Sequence, residues 1–157
     1  MSYIPLTEYS KAWIFRHKDL PVDEADLPLI KPMTPHRASQ LWQTQISELS
    51  EHYSEFQKGD WAYDTATWLE SVDWQKRWES DNNDLPELLA DHLQWEDNTV
   101  VYFCYESDHV IETTWLIFKK YWKNFLFMDD GPILVGRKRK QVAQFFDNGQ
   151  VQVGLKP

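Results

Sequence analysis

Thr99-Val-Val-Tyr-Phe-Cys-Tyr105, Glu106-Ser-Asp108 and His109-Val-Ile-Glu-Thr113 follow one another without a break. The first run is β-branched and aromatic, the second is a polar turn, and the third is a short second strand. Two more runs of the same kind come later, Pro132-Ile-Leu-Val-Gly136 and Gln141-Val-Ala-Gln-Phe-Phe146. The last of them passes through Asp147-Asn148-Gly149 into Gln150-Val-Gln-Val-Gly154. Asn-Gly between alternating hydrophobic residues predicts a hairpin with positive φ at both central positions. The C-terminal part therefore reads as a small antiparallel sheet.

One helix interrupts that sheet. Thr113 or Thr114 is its predicted N-cap, and on a helical wheel Trp115, Phe118, Tyr121, Trp122 and Phe125 share one face. Lys119, Lys120 and Lys123 gather on the other face and are expected in water. A strand over the same residues would scatter the lysines to both sides, so the helix is preferred.

Upstream, Thr34-Pro35 has the form of an N-cap followed by a proline at the first helical position. Ala38, Leu41, Trp42, Ile46, Leu49, Tyr53 and Phe56 recur at helical steps until Lys58-Gly59, which predicts one amphipathic helix of about twenty residues. Shorter helices are expected at Val72–Glu79, capped by Ser71, and at Leu85–Trp95, with Asp84 and Glu87 spaced as a capping box. The proline-containing N-terminal segment reads as connecting structure, with a weak strand at Ala12–Arg16.

The chain has 157 residues, 42% of them hydrophobic, with nine tryptophans, which is enough for one domain with a packed core. The division is a mainly helical, acidic part over 1–98 and a sheet with one helix over 99–157. The fold class expected is α+β, an antiparallel sheet of about four to five strands packed on one face against the N-terminal helices. There is no apolar run long enough for a membrane span and no secretory leader, and the single cysteine, Cys104, lies in an apolar strand. These features point to a soluble cytoplasmic protein.

The formal charge of −9 is unevenly distributed. Residues 1–98 carry 8 Lys/Arg and 19 Asp/Glu, a net −11, whereas residues 99–157 carry 8 and 6, a net +2. Such acidity argues against nucleic acid, whose binding needs cations to displace phosphate counterions. It suits a basic protein partner. The basic run Arg137-Lys-Arg-Lys140 falls where a hairpin loop is needed, and can complement the acidic part within the molecule or across a dimer.

Candidate chemistry is sparse. No phosphate loop, nucleophile elbow or metalloprotease pattern occurs, so no cofactor is expected. Asp91-His92 and Glu96 share a helical face at i, i+4 spacing and can begin a carboxylate–histidine site, but nothing nearby completes it, so no metal is expected either. Asp129-Asp130 can hold a cation or act as an acid–base pair, though Asp-Gly-Pro is turn chemistry first. Asp60-Trp61-Ala-Tyr63-Asp64 offers aromatic faces with polar neighbours, as a sugar platform would. The candidate binding residues are accordingly Asp60, Trp61, Tyr63, Asp64, Glu112, Asp129 and Asp130.

The strand–turn–strand followed by Thr114-Trp115-x-x-Phe118-x-x-x-Trp122, then the Asp129-Asp130 loop, Phe145-Phe146 and Asn148-Gly149, resembles small bacterial proteins classed as domains of unknown function. The resemblance covers about the last sixty residues and carries no catalytic residue. In style the chain is also similar to small acidic immunity proteins. The charge split and the absence of catalytic motifs point to a non-enzymatic binding module, immunity-like or regulatory, for a basic partner. The alternatives are an enzyme or small-ligand protein with a pocket between tryptophan-rich helices and sheet, built on Asp129, Asp130 or Glu112, and a homodimeric structural protein.

Overall fold

The architecture is a seven-stranded antiparallel sheet covered on both faces. In the computed structural model, which describes residues 2–157, the strands are β1 (Lys31–Pro32), β2 (Trp68–Asp73), β3 (Val100–Glu106), β4 (His109–Thr114), β5 (Ile133–Gly136), β6 (Gln141–Phe145) and β7 (Gln150–Leu155). The helices are α1 (Pro35–Gln45), α2 (Gln75–Glu79), α3 (Glu87–His92) and α4 (Trp115–Phe125). Strand order is β1-β4-β3-β5-β6-β7-β2, and every neighbouring pair is antiparallel. No helix among the described residues is long and apolar enough to cross a membrane.

Alternation along β3 sends Val101, Phe103 and Tyr105 to one face and Tyr102 and Cys104 to the other. On the first face Phe103 packs against Phe118 and Phe125 of α4 and Phe145 of β6, with ring centroids 5.2–5.9 Å apart. On the second face Ala38, Leu41, Trp42 and Ile46 pack with Met33 against Cys104, Val110, Ile133, Val135 and Val142. All four residues of β5 are buried for this reason. An Ile-Leu-Val run with no polar face is the pattern of a strand covered twice.

Five of the strands lie where the hydrophobic runs predict them, and Thr114 is the N-cap of α4, accepting from the Ile117 amide. Two strands, β1 and β2, were not expected. Both are edges: Pro32 sits in β1, where a missing amide costs nothing, and β2 carries a register shift between Trp68 and Glu70. Ser71, expected to cap a helix, lies within β2 instead. Ala12–Phe15 is a 3-10 turn rather than a strand. Helix α3 is shorter than expected, with Pro86 rather than Asp84 at its N-cap. In the β6–β7 hairpin only Gly149 has positive φ (86°), and its amide donates to the Phe146 carbonyl at 3.1 Å. The turn is therefore a three-residue type with a glycine bulge, which relieves Asn148 of the strained conformation.

The largest local correction concerns the first helix. It stops at Gln45, well short of the twenty residues that its apolar periodicity predicts. Ser47 Oγ accepts from the Leu49 and Ser50 amides at 3.0 and 2.9 Å, offering the backbone a turn in place of the next helical hydrogen bonds. The Asp60 carboxylate then holds that turn, accepting from Ser47 Oγ, from Ser50 Oγ at 3.0 Å and from the Gln57 amide at 3.1 Å. Asp60 is only 5% exposed.

Replacing Asp60 by Ala leaves the Ser47 hydroxyl and the Gln57 amide without their acceptor in a buried setting, while Ser50 Oγ keeps the Glu55 carbonyl at 2.8 Å. The expected loss is roughly 3 kcal/mol of unfolding free energy by urea denaturation. Asp60→Asn, which keeps one acceptor oxygen, loses less than Asp60→Ala.

Candidate functional site

Nine tryptophans are many for this chain, and seven of them use the indole N–H to hold a specific acceptor. Six of these acceptors are backbone carbonyls, so each ring both buries area and fixes a stretch of main chain. Two build the wall of an open groove. Trp122 Nε1 donates to the Asn83 carbonyl at 2.9 Å, and Trp78 Nε1 donates to the Lys123 carbonyl at 2.8 Å. Arg77 adds bonds to the Asp84 and Leu85 carbonyls, and Lys123 Nζ donates to the Ser80 carbonyl at 2.7 Å. The 80–85 segment is thereby strapped across the outer side of α4.

That strap corrects the expectation that Lys123 stands in water. Lys123 is 5% exposed, and burial lowers its pKa below the usual lysine value. Lys119 and Lys120 do reach the surface, but both are engaged: Lys119 pairs with Asp97 at 2.9 Å, and Lys120 with Asp26 at 2.7 Å and Asp23 at 3.2 Å.

The groove encloses about 1460 Å³ between residues 17–23, the 77–91 segment and α4. Leu85, Trp78, Trp122 and Phe127 contribute its apolar parts, together with Leu116, which is 47% exposed. Its lining holds seven carboxylates and four cationic side chains. The cations are committed to internal partners, to carboxylates or to main-chain carbonyls. Glu79, Asp81, Asp84, Glu87 and Asp91 are all exposed and none has a cationic side chain within ion-pair distance among the described residues. The unspent charge of the groove is negative.

The residues singled out from the sequence fall in three separate places, none of them lining this groove. In the 60–64 loop Asp60 points inward, Trp61 is half-buried 6.1 Å from Trp68, and Asp64 caps the turn Thr65–Thr67 by accepting from the Ala66 amide. Tyr63, 59% exposed, is the aromatic that faces solvent there. Glu112 is buried on β4, where it accepts from the Tyr3 hydroxyl at 3.0 Å. Arg137 approaches it at 3.8 Å while donating to the Tyr102 hydroxyl, a bond that raises the guanidinium pKa. Glu112 thus ties the N-terminal segment to the sheet.

Asp129 and Asp130 lie in the loop between α4 and β5. Asp130 accepts from the Tyr53 hydroxyl at 2.6 Å, which with burial pushes that phenol up to about 12. Gly131 follows with φ 77°, and a Cβ there would lie 2.1 Å from the Tyr53 ring, so the loop and Tyr53 fit only around a glycine. The Arg137–Lys140 run does not neutralise this loop: Arg139 pairs instead with Glu96 at 3.0 Å. That pairing is the intramolecular complement to the acidic part that the basic run suggested. The Asp91, His92 and Glu96 grouping is dispersed, because α3 ends at His92 and His92 Nε2 lies 2.8 Å from the Gly154 carbonyl oxygen.

Sequence reasoning missed the groove itself. The spacing of five carboxylates over residues 79–91 was the available signal, but their common wall depends on the indole and lysine bonds to the strap.

The fold and the groove belong to a family without an assigned activity. A family model described as protein of unknown function (DUF2947) matches residues 3–154, and the chain belongs to that family. No curated protein and no solved structure matches the chain.

Two carboxylates outside the groove, Asp26 and Asp129, have opposite pH signatures. Hydrogen bonds from Lys120 and Tyr121 hold Asp26 below the usual carboxylate range, so its contribution is present above the unfolded value and lost as pH falls through the folded one. Asp129 is raised, first by burial and then by Asp147 and Asp130, so folding favours its protonated form and its cost grows as pH rises through the folded value. Asp26→Asn should therefore lower Tm near neutrality and flatten the acid side of the stability profile. Asp129→Asn should leave Tm near neutrality unchanged or higher. Melting curves recorded across the acid range check both signs.

Proposed function

We propose that this protein is a non-enzymatic binding module whose acidic groove receives a basic, partly apolar segment of a partner protein. The observation that supports this reading is the unequal use of charge around the groove. Its cations are bound up within the fold, whereas the five carboxylates of the 79–91 wall face solvent unpaired. A row of like charges beside exposed Leu116 suits an amphipathic cationic segment: the lysines or arginines meet the wall and an apolar side chain meets Leu116. Such a surface fits an immunity-like or regulatory role, in which the module covers a basic face of its partner. Long-range attraction speeds the encounter, and the apolar contact retains the complex.

Binding of a synthetic amphipathic lysine/leucine peptide, followed by tryptophan fluorescence, tests the reading. Affinity should fall steeply as salt rises. The triple variant Asp81→Asn, Asp84→Asn, Glu87→Gln should bind about tenfold more weakly, since exposed pairs contribute about 0.2–1 kcal/mol each. Neutralising Glu48, Glu51 and Glu70, which lie outside the groove, should leave affinity unchanged. Salt-independent binding, or equal loss from both triple variants, would overturn the assignment.

A further inference from the structure

The β3–β4 hairpin ends in Glu106-Ser107-Asp108-His109, with Glu106 and His109 as cross-strand partners. Ligand atoms of Glu106, Asp108 and His109 lie within 4.8 Å of one another. His109 Nε2 and Asp108 Oδ1 are 3.8 Å apart. Two donors on one tetrahedral zinc ion, each about 2.1 Å from it, sit roughly 3.4 Å apart, so small side-chain rotations bring these groups to ligand distance. The hairpin beneath them is tied to the rest of the fold. Both strands are interior members of the sheet, and the Ser107 amide donates to the Glu51 carbonyl at 3.0 Å, fixing the tip.

A second observation comes from Tyr9. Its side chain is 5% exposed, and its hydroxyl is buried with no hydrogen-bond partner among the described residues. The Tyr9 ring stands 6.3 Å from the His109 ring. The hydroxyl is thus buried beside the histidine of the cluster. A buried O–H without an acceptor costs free energy, and one beside a ligand cluster can become an outer-sphere donor when the carboxylates close on an ion.

We propose that the tip of this hairpin binds a divalent cation of the zinc class through Glu106, Asp108 and His109, with the Tyr9 hydroxyl as the outer-sphere donor. One imidazole and two carboxylates suit zinc or cobalt better than calcium, which takes six or more oxygen ligands. Three protein ligands leave a coordination position for water. This site is separate from the acidic groove, whose lining contains none of the four residues.

Isothermal titration of chelator-treated protein with Zn²⁺, and the visible spectrum on Co²⁺ addition, test the assignment. One equivalent should bind, with the intense visible bands of four-coordinate cobalt. His109→Ala and Glu106→Gln should each weaken binding at least about tenfold, and Tyr9→Phe, which removes only an unpartnered hydroxyl, should weaken it by about 10-fold while leaving the circular dichroism unchanged. His52→Ala, altering a histidine beside Asp130, should bind as the parent does. No uptake at millimolar metal, or uptake that survives His109→Ala, would overturn the site. Unaltered affinity in Tyr9→Phe would overturn the role given to the hydroxyl.

Discussion

The central strands of this protein are apolar on both faces, and the rest of the structure follows from the need to cover them twice. A sheet with one wet face would present alternating polar residues, but Ile133, Leu134 and Val135 are all buried. The covers available are small. Helix α4 lies over one face and α1 over the other, each of eleven residues, and helices of that length are marginal on their own. Most of the remaining cover is irregular main chain, whose amides and carbonyls must find partners when they are drawn in from water.

The tryptophans answer that demand. An indole brings a large apolar face and one N–H donor, so it can roof part of the core and satisfy a loop carbonyl at once. Trp42 does so for Ser50, Trp68 for Ala62, Trp74 for Phe146 and Trp122 for Asn83. In each case the acceptor lies in a connection rather than inside a helix or strand. The aromatic richness of the chain is thus tied to its shortage of regular cover. It also explains how a groove can have a defined wall made of loop: the 80–85 segment is held by an indole, a guanidinium and an ammonium group, all reaching out from regular elements or their ends.

What could be read from the sequence divides along physical lines. Strands β3 to β7 and the Thr114 cap were legible because their signals are local: β-branched runs, turn residues and one side chain bonding three residues ahead. Edge strands β1 and β2 were not. Edges bury little, so Trp68–Asp73 has no hydrophobic alternation, and β1 is only two residues long. The end of α1 depended on Asp60, thirteen residues beyond Ser47, and no periodicity at Leu49, Tyr53 or Phe56 reports a competing carboxylate at that distance. Of the candidate site residues, Asp60 and Glu112 carry charges that the fold itself uses, and Asp130 is bonded to Tyr53. Residue type alone does not distinguish a carboxylate waiting for a ligand from one already holding a loop.

The same distinction gives the charge asymmetry its meaning. Counting Lys and Arg in the C-terminal part suggests a basic surface, yet Lys119, Lys120, Arg137 and Arg139 each face a carboxylate from elsewhere in the chain, and Lys123 is buried against a carbonyl. Three of those four carboxylate contacts reach back to the acidic part, to Asp97, Asp26 and Glu96. Exposed pairs of this kind add little stability individually. Their larger consequence is subtractive: they offset four of the sixteen Lys and Arg charges, two of them in the lining of the groove. A chain with a net charge of −9 whose groove cations are so engaged presents the groove carboxylates to a partner with little competition from the groove's own lining. The 79–91 wall is where those carboxylates stand together beside exposed apolar surface.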